Sequence, residues 1–344
     1  MKEQKDLAAA LVTGEQREAY TICLGGREVP ATVAGKLQGE AVSRLDFPVV
    51  GDDVSVALHD GGGKAVIHAV LPRRTLLLRK GIGTADAQPL AANVSKVFIV
   101  MGLDGNYNIA RLERLLVAAW DSGGAPVVVL TKKDLCPDQE LADKILAVER
   151  AAPGVEVLCL SSVSGDGVGR VEAALAGGAR CCFLGSSGAG KTTLLNRLLG
   201  REAAPTGAIR EADARGRHTT TSRHLYFLPG GGEVIDTPGI REFCVEYSGE
   251  GLETSFSDVQ ALAAGCRFKD CSHVSEPGCA VLAALEAGTL APDRLKSYQK
   301  LRRETARREL GTDLKKRLLA KRNLKSFSKM VRDVSEKKRK LRGG

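Results

Sequence analysis

The eight residues GSSGAGKT, from Gly185 to Thr192, match the pattern G-x-x-x-x-G-K-[ST] and lie between two apolar runs. The run before them, CCFLG, is typical of a buried strand, and the run after them, TTLLNRLL, is typical of a helix. Glycines let successive backbone N–H groups point to one centre, and the helix adds the positive end of its dipole. The pattern therefore predicts a phosphate-binding loop, and the chain around it must build an α/β sheet.

Two side chains of this loop have separate predicted tasks. Lys191 is expected to reach the β and γ phosphates of a nucleotide, and Thr192 is expected to place its hydroxyl on Mg²⁺. The predicted phosphate-binding residues are Gly185, Ser186, Ser187, Gly188, Ala189, Gly190, Lys191, Thr192 and Thr193.

Another apolar run, GEVIDTPG, ends in the carboxylate of Asp236. In the same sheet as a phosphate loop, Asp236 is predicted to lie on the Mg²⁺ side of the nucleotide, and Gly239 to offer its N–H to the γ-phosphate. Taken alone, Asp236 could be a turn or helix-cap residue, as is common in Asp-Thr-Pro-Gly strings. The neighbouring phosphate loop favours the nucleotide role.

The stretch VVVLTKKDL, Val127 to Leu135, is typical of a buried strand that ends in a loop. The carboxylate of Asp134 can accept hydrogen bonds from the N1 and N2 donors of guanine, a pair that adenine lacks. One strand later, LSSVSGDGV resembles the S-A-x-x-G-x-G loop that supports guanine O6 through backbone N–H groups. TKKD alone would also suit a Lys-rich surface turn, but its place at a strand end favours guanine binding. The predicted base-binding residues are Thr131, Lys132, whose aliphatic stem would lie along the nucleotide, Lys133, Asp134, Ser161 and Ser162.

The order of these motifs is rotated relative to an ordinary GTPase, in which the guanine-binding loop follows the phosphate loop. Here the guanine-binding loop comes first. A domain whose ends lie close together can be joined there and opened elsewhere without a change in its sheet. The sequence therefore predicts a circularly permuted GTPase whose DTPG segment leads directly into a C-terminal domain.

Patterns of strands and helices divide the 344 residues into three predicted domains. Residues 1–85 hold short Val- and Ile-bearing runs split by Gly clusters, which favours an RNA-binding β-barrel of the OB type, although an SH3-like barrel would look similar. Residues 90–247 alternate apolar strands with amphipathic helices, which predicts an α/β GTPase domain with a parallel sheet covered on both faces. Residues 248–344 are predicted to form a zinc-binding helical domain with a basic helical tail.

Four potential metal ligands lie within fourteen residues in the C-terminal part of the chain, at the spacing C-x4-C-x-H-x5-C. Three thiolates and one imidazole suit a closed tetrahedral Zn²⁺ site, and four protein ligands leave no open position for catalysis. The alternative is a cluster of buried cysteines without a metal. The predicted ligands of one structural Zn²⁺ are Cys266, Cys271, His273 and Cys279.

Charge is unevenly distributed along the chain, whose formal net charge is +9. The last 31 residues hold 13 Lys or Arg and 2 Asp or Glu, whereas the first 313 residues hold 37 and 39. The tail is therefore the basic part, which favours contact with a polyanion such as RNA. A solvated tail that contributes only solubility is the alternative.

Composition favours a cytoplasmic protein. The content of 43% apolar and 26% charged residues is typical of soluble globular proteins, and no apolar run reaches the roughly 18 residues that cross a bilayer. The N-terminus lacks the sustained apolar core of a signal peptide. The nine cysteines suit reduced thiols and one metal site better than a disulfide scaffold.

Seven stretches together resemble the small-ribosomal-subunit-dependent GTPase A family, RsgA, also called YjeQ. They are PVVGDDV, AANVSKVFIV, TKKDL, GSSGAGKTTLLN, GRHTTT, DTPGIREF and CRFKDCSHVSEPGCAV. The resemblance implies an OB-fold, a permuted GTPase domain and a zinc-binding domain. It also implies a factor for late maturation of the small (30S) ribosomal subunit that is activated by this subunit, with GTP or GDP, Mg²⁺ and Zn²⁺ as ligands. We expect the subunit and its rRNA as partners, no membrane partner, and a monomer.

Two positions depart from the pattern of the family. Thr131 replaces the more frequent Asn, which is expected to weaken a polar link to the base and the phosphate loop. Ser162 replaces Ala, which is expected to matter little because this residue acts mainly through its backbone. The long basic tail is also less typical.

Hydrolysis is expected to be slow without an activator, because Ile240 stands where many GTPases carry the Gln that orients the attacking water. The string GRHTTT is the expected source of the remaining groups. One of Thr219, Thr220 and Thr221 is predicted to meet Mg²⁺ and the γ-phosphate, and His218 to position water. A solvated loop histidine is the alternative for His218.

Two other functions remain open from the sequence. One is an RNA-binding checkpoint module that senses GTP with little turnover. The other is a P-loop ATPase or small-molecule kinase, against which Asp134 argues.

Overall fold

The structure is a computed structural model that describes residues 7–16, 19–80, 87–202, 223–236 and 249–307. Five residues predicted to act in hydrolysis lie outside these ranges: His218, Thr219, Thr220, Thr221 and Gly239. In the described part of the chain, no helix combines the length and the apolar character that crossing a bilayer requires.

Five strands near the N-terminus close into a barrel around a small apolar core. They are β1 (Ala8–Gln16), β2 (Ala19–Leu24), β3 (Arg27–Val33), β4 (Asp53–His59) and β5 (Lys64–Val70), with the short helix α1 (Gly35–Glu40) after β3. The strands pair in the order β1-β2-β3-β5-β4, and β4 returns to β1. Alternate residues such as Val12, Ile22 and Val56 point inward and are fully buried. This closure is that of the OB type.

A two-stranded antiparallel hairpin, β6 (Leu76–Lys80) and β7 (Ala87–Ala92), follows the barrel. Leu77 and Leu90 are buried in the same apolar cluster as strand residues of the central sheet. The hairpin therefore packs against the central sheet.

The central sheet has five neighbouring parallel strands and one antiparallel strand. In chain order they are β8 (Lys96–Gly102), β9 (Ala125–Thr131), β10 (Glu156–Cys159), β11 (Arg180–Leu184), β12 (Arg223–Phe227) and β13 (Glu233–Asp236). Their order across the sheet is β10-β9-β8-β11-β13-β12, with β12 antiparallel to β13. The helices between them are α2 (Ile109–Asp121), α3 (Asp138–Ala151), α4 (Val168–Leu175) and α5 (Lys191–Leu199).

Both faces of this sheet are buried, which explains why its strands lack polar alternation. On one face, Val97 and Ile99 belong to a cluster that includes α2 and α3. On the other face, Phe98 and Phe183 stack with their ring centroids 5.9 Å apart in a cluster that includes α4 and α5. The prediction of a parallel sheet covered by helices is confirmed.

Strand β12 joins the central sheet to the barrel. It pairs with β13 on one side and with β1 on the other, where Gly14 lies opposite His224 and Glu15 lies opposite Arg223. The Glu15 carboxylate accepts hydrogen bonds from Arg223 Nη1 at 2.8 Å and from Arg44 Nη2 at 2.9 Å. Eleven strands thus form one continuous hydrogen-bonded array.

The C-terminal part is helical and rests on α2. It contains α6 (Glu250–Ser255), α7 (Ser257–Ala263), α8 (Ala280–Glu286) and a helix α9 over residues 292–307. Phe256, Val259 and Val281 are fully buried, and Val117 and Ala118 of α2 belong to the same cluster. The predicted combination of a barrel, a permuted α/β domain and a helical C-terminal domain is confirmed.

Candidate nucleotide and metal sites

The phosphate loop joins β11 to α5 and needs glycine at two points of close approach. A Cβ on Gly185, whose φ is 154°, would lie 2.2 Å from the carbonyl oxygen of Val100 on β8. A Cβ on Gly190, whose φ is 92°, would lie 3.2 Å from Thr131 Oγ1 at the end of β9. The loop is therefore wrapped closely against two neighbouring strands, as its glycines allow.

Lys191 begins α5, and its ammonium group folds back over the loop. Lys191 Nζ donates to the carbonyl oxygens of Gly185 and Ser186, each at 2.7 Å. The positive charge of Lys191 therefore lies inside the curve of the loop, next to the N-terminal end of a helix. This arrangement can attract the phosphates of a nucleotide.

The guanine-binding loop follows β9 and contacts the phosphate loop directly. Thr131 is buried, and its Oγ1 donates to the carbonyl oxygen of Ala189 at 2.5 Å. Lys132 has a left-handed backbone conformation, with φ of 59°, which turns the chain sharply after the strand. Asp134 follows in a 3-10 turn and is exposed. Thr131 therefore still forms a polar link to the phosphate loop, although Asn is more frequent at this position.

The serine loop after β10 lies beside the guanine-binding loop. Ser161 is buried, and its Oγ accepts from the backbone N–H of Ser164 at 3.2 Å. Lys133 Nζ pairs with Asp166 Oδ2 at 2.7 Å, which ties the two loops together. The hydroxyl of Ser162 is buried and makes no hydrogen bond in the part of the chain described.

One cavity of about 160 Å³ connects the two halves of the site. Asp134 borders it on one side, and Gly190 and Thr193 of the phosphate loop and its helix border it on the other. The residues that line it are Thr131, Lys132, Asp134, Leu135, Ser162, Val163, Gly190 and Thr193. Residues far apart in the chain therefore meet around a single space.

Asp236 ends β13, the parallel neighbour of β11, and is 9% exposed. Its position at the end of β13 puts it at the same edge of the sheet as the phosphate loop, where a Mg²⁺-side carboxylate is needed. Gly239 and the GRHTTT string lie outside the described residues, so their predicted roles remain predictions.

A further loop, residues 103–108 after β8, contacts both halves of the site and was missed by motif analysis. Asp104 Oδ2 accepts from Lys132 Nζ at 2.6 Å, and Asn106 contacts Ser186 and Ser187 of the phosphate loop. Burial alone would raise the pKa of Asp104, but the Lys132 ammonium group and the Asn106 N–H outweigh it and hold that pKa below its ordinary value. The sequence could have indicated this loop only through its position, because β8 lies between the strands that carry the two motifs.

The four predicted zinc ligands come together in the C-terminal domain, with their ligand atoms all within 4.8 Å of one another. Cys266 Sγ lies 3.8 Å from Cys279 Sγ, and His273 Nδ1 lies 3.6 and 3.5 Å from these two sulfurs. Zn–S bonds of about 2.3 Å and Zn–N bonds of about 2.0 Å at tetrahedral angles give ligand separations of about 3.8 Å and 3.5 Å. The donor set and its spacing therefore fit Zn²⁺.

The carboxylate of Glu276 organises the loop that carries His273 and leads to Cys279. Glu276 accepts from the backbone N–H groups of Ser272 at 2.8 Å, Val274 at 2.9 Å and Ser275 at 3.1 Å, and also from the Ser272 hydroxyl. These donors hold the pKa of Glu276 well below its usual range. The turn that carries His273 at φ of 59° is thus stabilised from within.

A guanine-type base loop, a phosphate loop and a strand-end carboxylate lie at one edge of one parallel sheet, in rotated chain order. These features define the class as a circularly permuted GTPase.

Comparison with known proteins supports this class. A model of the RsgA GTPase family matches residues 70–246. A protein of Lactiplantibacillus plantarum, named small ribosomal subunit biogenesis GTPase RsgA 2, is 46% identical over 88% of this chain and 84% of its own length. An RsgA protein of Opitutus terrae is 48% identical over 86% of this chain and 83% of its own length. The crystal structure of YjeQ from Thermotoga maritima matches with a TM-score of 0.66 and 27% identity, over 87% of this chain and 99% of that one.

The chain therefore belongs to the RsgA GTPase family, and its activity is GTP hydrolysis with a guanine nucleotide as ligand. A model of ABC transporters also matches residues 168–329, a range that includes the phosphate loop common to both classes. That range is less than half of the chain and leaves out Asp134, so it does not describe the base-binding half of the site.

Proposed function

We propose that this chain hydrolyses GTP as a late-stage maturation factor of the small ribosomal subunit, and that the subunit stimulates its turnover. The observation that carries the proposal is the single cavity between Asp134 and the phosphate loop, in a chain whose relatives are named small ribosomal subunit biogenesis GTPases. The decisive experiment is GTP turnover with and without purified small subunits. Turnover that does not change when subunits are added would contradict the proposal and would favour a checkpoint module that only senses GTP.

The base half of the cavity selects guanine. Asp134 accepts from the guanine N1 and N2 donors, Lys132 lays its stem along the nucleotide, and the backbone N–H of Ser162 supports O6. Ser161 holds the loop in shape, because its N–H donates to the carbonyl oxygen of Asp166 at 2.9 Å. Xanthine carries a carbonyl where guanine carries its amino group, so Asp134→Asn is expected to weaken GTP binding by roughly a hundredfold or more and to improve XTP binding. Equal affinity of the unmodified protein for ATP and GTP would favour an ATPase or kinase instead.

The phosphate half positions the reacting group. Lys191 reaches the β and γ phosphates, while the Thr192 hydroxyl and Asp236 hold Mg²⁺, which would offset charge on the γ-phosphate during transfer. The backbone N–H groups of residues 185–190 surround the phosphates. These groups bind and orient GTP.

Hydrolysis depends on the segments around residues 218–221 and 239. One of Thr219, Thr220 and Thr221 meets Mg²⁺, His218 positions water, and the Gly239 N–H contacts the γ-phosphate. Ile240 has no polar group, so basal turnover is slow. Full subunit-stimulated turnover of His218→Ala would remove the role of His218.

The Cys₃His cluster of the C-terminal domain holds one structural Zn²⁺. The sulfur and nitrogen separations fit this ion, and four protein ligands leave no position for a reacting water. Elemental analysis of the purified protein is expected to find one zinc per chain, and finding none would contradict this proposal.

The OB-type barrel and the basic tail contact rRNA. The last 31 residues hold 13 Lys or Arg and 2 Asp or Glu, so truncation after residue 313 is expected to weaken subunit binding and flatten its dependence on salt. Nucleotide affinity is the internal control and is expected to stay the same. An unchanged salt dependence would show that the tail contributes only solubility.

The remaining expectations concern the organisation of the chain. We place the domain boundaries as residues 1–85, 90–247 and 248–344, and we propose that the protein acts as a monomer in the cytoplasm. Sedimentation of the purified protein at micromolar concentration tests the oligomeric state.

A further inference from the structure

We propose that residues 103–108, which we name the β8 loop, form a positioning element that sets the base-binding and phosphate-binding halves of the site relative to each other. Asp104 acts on the base half through Lys132, and Asn106 acts on the phosphate half through Ser186 and Ser187. The inference rests on the proposed guanine-nucleotide site.

The first contact holds Lys132. Its ammonium group lies 2.6 Å from Asp104 Oδ2, and both side chains are about 70% buried. With its charged end anchored, the Lys132 stem is kept along the wall of the cavity, where it is one of the lining groups. The anchored charge is also neutralised locally, so Lys132 contributes a fixed apolar surface for the nucleotide and little attraction for phosphate.

The second contact holds the phosphate loop. Asn106 Nδ2 donates to the Ser187 carbonyl oxygen at 3.1 Å, and Asn106 Oδ1 accepts from the Ser186 hydroxyl at 2.6 Å. A single carboxamide therefore bonds two successive residues of the loop. This double contact fits a carboxamide, which has a donor and an acceptor side by side, and it does not fit a carboxylate.

The β8 loop has hydrogen bonds of its own, which connect its two contacts to each other and to β9. The backbone N–H of Leu103 donates to Thr131 O at 3.0 Å, and the Asn106 N–H donates to Asp104 Oδ1 at 3.1 Å. Arg111 Nη2 donates to Asn106 Oδ1 at 3.0 Å. Asp104 and Asn106 thus share one short, internally bonded loop that contacts both halves of the site.

The consequence is a separable effect on two fragments of the nucleotide. Guanosine occupies only the base half, and inorganic pyrophosphate occupies only the phosphate half. Loss of the Asp104 charge is expected to lower the affinities for guanosine and for GDP by about tenfold each, as for a charge-assisted hydrogen bond. The affinity for pyrophosphate is expected to stay the same. Loss of the Asn106 carboxamide is expected to lower the affinities for pyrophosphate and GDP by about tenfold and to leave the affinity for guanosine unchanged.

The experiment measures the affinities of the full-length protein by competition with a fluorescent GDP analogue. The variants are Asp104→Asn and Asn106→Ala. Asn108→Ala is the control for general loosening, because Asn108 caps α2 through the Arg111 N–H in the same stretch without contacting either half of the site. Asp293→Asn removes an Asp–Lys pair of the C-terminal domain and is the control for loss of charge.

Two further variants test how each residue acts. If Asp104 acts through Lys132, Asp104→Asn has no additional effect in a Lys132→Met background. If Asn106 lies beside the phosphates, Asn106→Asp weakens pyrophosphate binding more than Asn106→Ala does, because the aspartate adds a negative charge. The melting temperature without nucleotide checks that each variant is folded.

Equal losses of affinity for guanosine and pyrophosphate in either variant would overturn the inference. Losses of affinity no larger than those caused by Asn108→Ala would also overturn it. Full additivity of Asp104→Asn and Lys132→Met would also overturn the role of Asp104. If the unmodified protein bound neither GDP nor its fluorescent analogue, the proposed function itself would fail, and the two failures are therefore distinguishable.

Discussion

At the scale of single residues, close backbone contacts shape the nucleotide site. Gly185 and Gly190 lie against Val100 and Thr131 at distances that leave no room for a Cβ without rearrangement. Lys132 adopts a left-handed conformation that glycine favours, although it must supply a side chain to the cavity. Strain of this kind persists where the surrounding structure holds it, and here Asp104 and the end of β9 do so.

Gly185→Ala is expected to lower the free energy of unfolding by about 2–4 kcal/mol, because the new Cβ would meet Val100 O and strain the backbone. Gly169→Ala is the matched control, since it lies in α4 with open space around it and is expected to be neutral or stabilising by up to about 1 kcal/mol. Urea denaturation measures both. A Gly185→Ala protein as stable as the control would contradict the observed contact with β8.

Glu276→Gln is expected to speed zinc release to a chelator, because the amide replaces a carboxylate that organises the turn carrying His273. Glu286→Gln on the exposed surface of α8 is the control and is expected to release zinc at the unmodified rate. Absorbance of a zinc-binding dye measures the release. Identical rates for both variants would show that the ligands alone hold the loop.

At the scale of elements, helix α2 serves two cores. One side packs on the central sheet, and Val117 and Ala118 pack in the core of the C-terminal helices. Gly251 of α6 approaches so closely that a Cβ would lie 2.4 Å from Val117 O. Glu113 is 2% exposed in the middle of α2 and accepts from Arg294 Nη1 at 2.8 Å.

Arg294→Met is expected to cost about 3–5 kcal/mol of unfolding free energy, because it leaves the buried Glu113 carboxylate without its partner. Arg294 also bonds Asp258 and lies 4.0 Å over the Phe256 ring, so its loss also removes contacts within the C-terminal helices. Adding Glu113→Gln is expected to recover part of the loss. Arg303→Met on the exposed face of α9 is the control, and an equal effect of the two single variants would refute the assignment.

At the scale of the whole molecule, the barrel and the central sheet are one hydrogen-bonded array through β12. The seam is short, with two opposed residue pairs between β1 and β12. Glu15, which is 9% exposed, adds ion pairs to Arg44 of the barrel and Arg223 of β12. Because β12 also pairs with the strand that ends in Asp236, the barrel is connected to the nucleotide edge of the sheet.

Glu15→Gln is expected to lower the free energy of unfolding by about 2 kcal/mol, because two guanidinium groups lose a charged acceptor whose side chain is 9% exposed. Amide hydrogen exchange should show the loss first at the amides between β1 and β12. Glu40→Gln, on an exposed residue of α1 away from this seam, is the control and is expected to change little. Unchanged protection at the seam in Glu15→Gln would contradict this account.

Local patterns in the sequence predicted the guanine-binding loop, the phosphate loop and the group of three Cys and one His that the structure brings together. Each is a short run of residue types whose chemistry depends on neighbours within a few positions, such as the backbone N–H groups of Gly185 to Gly190. The alternation of strands and helices, and the rotated order of the motifs, likewise predicted the permuted α/β fold. Period and spacing are properties of the chain itself.

Only the tertiary structure decided which distant residues share a space. The contacts of Asp104 and Asn106 depend on β8 lying between β9 and β11, and the pairing of Glu113 with Arg294 joins residues 181 positions apart in the chain. Thr131 retains its link to the phosphate loop because Ala189 O lies within reach, which no local pattern reports. Such contacts depend on sheet order and helix packing, because these set distances between residues that the chain keeps far apart.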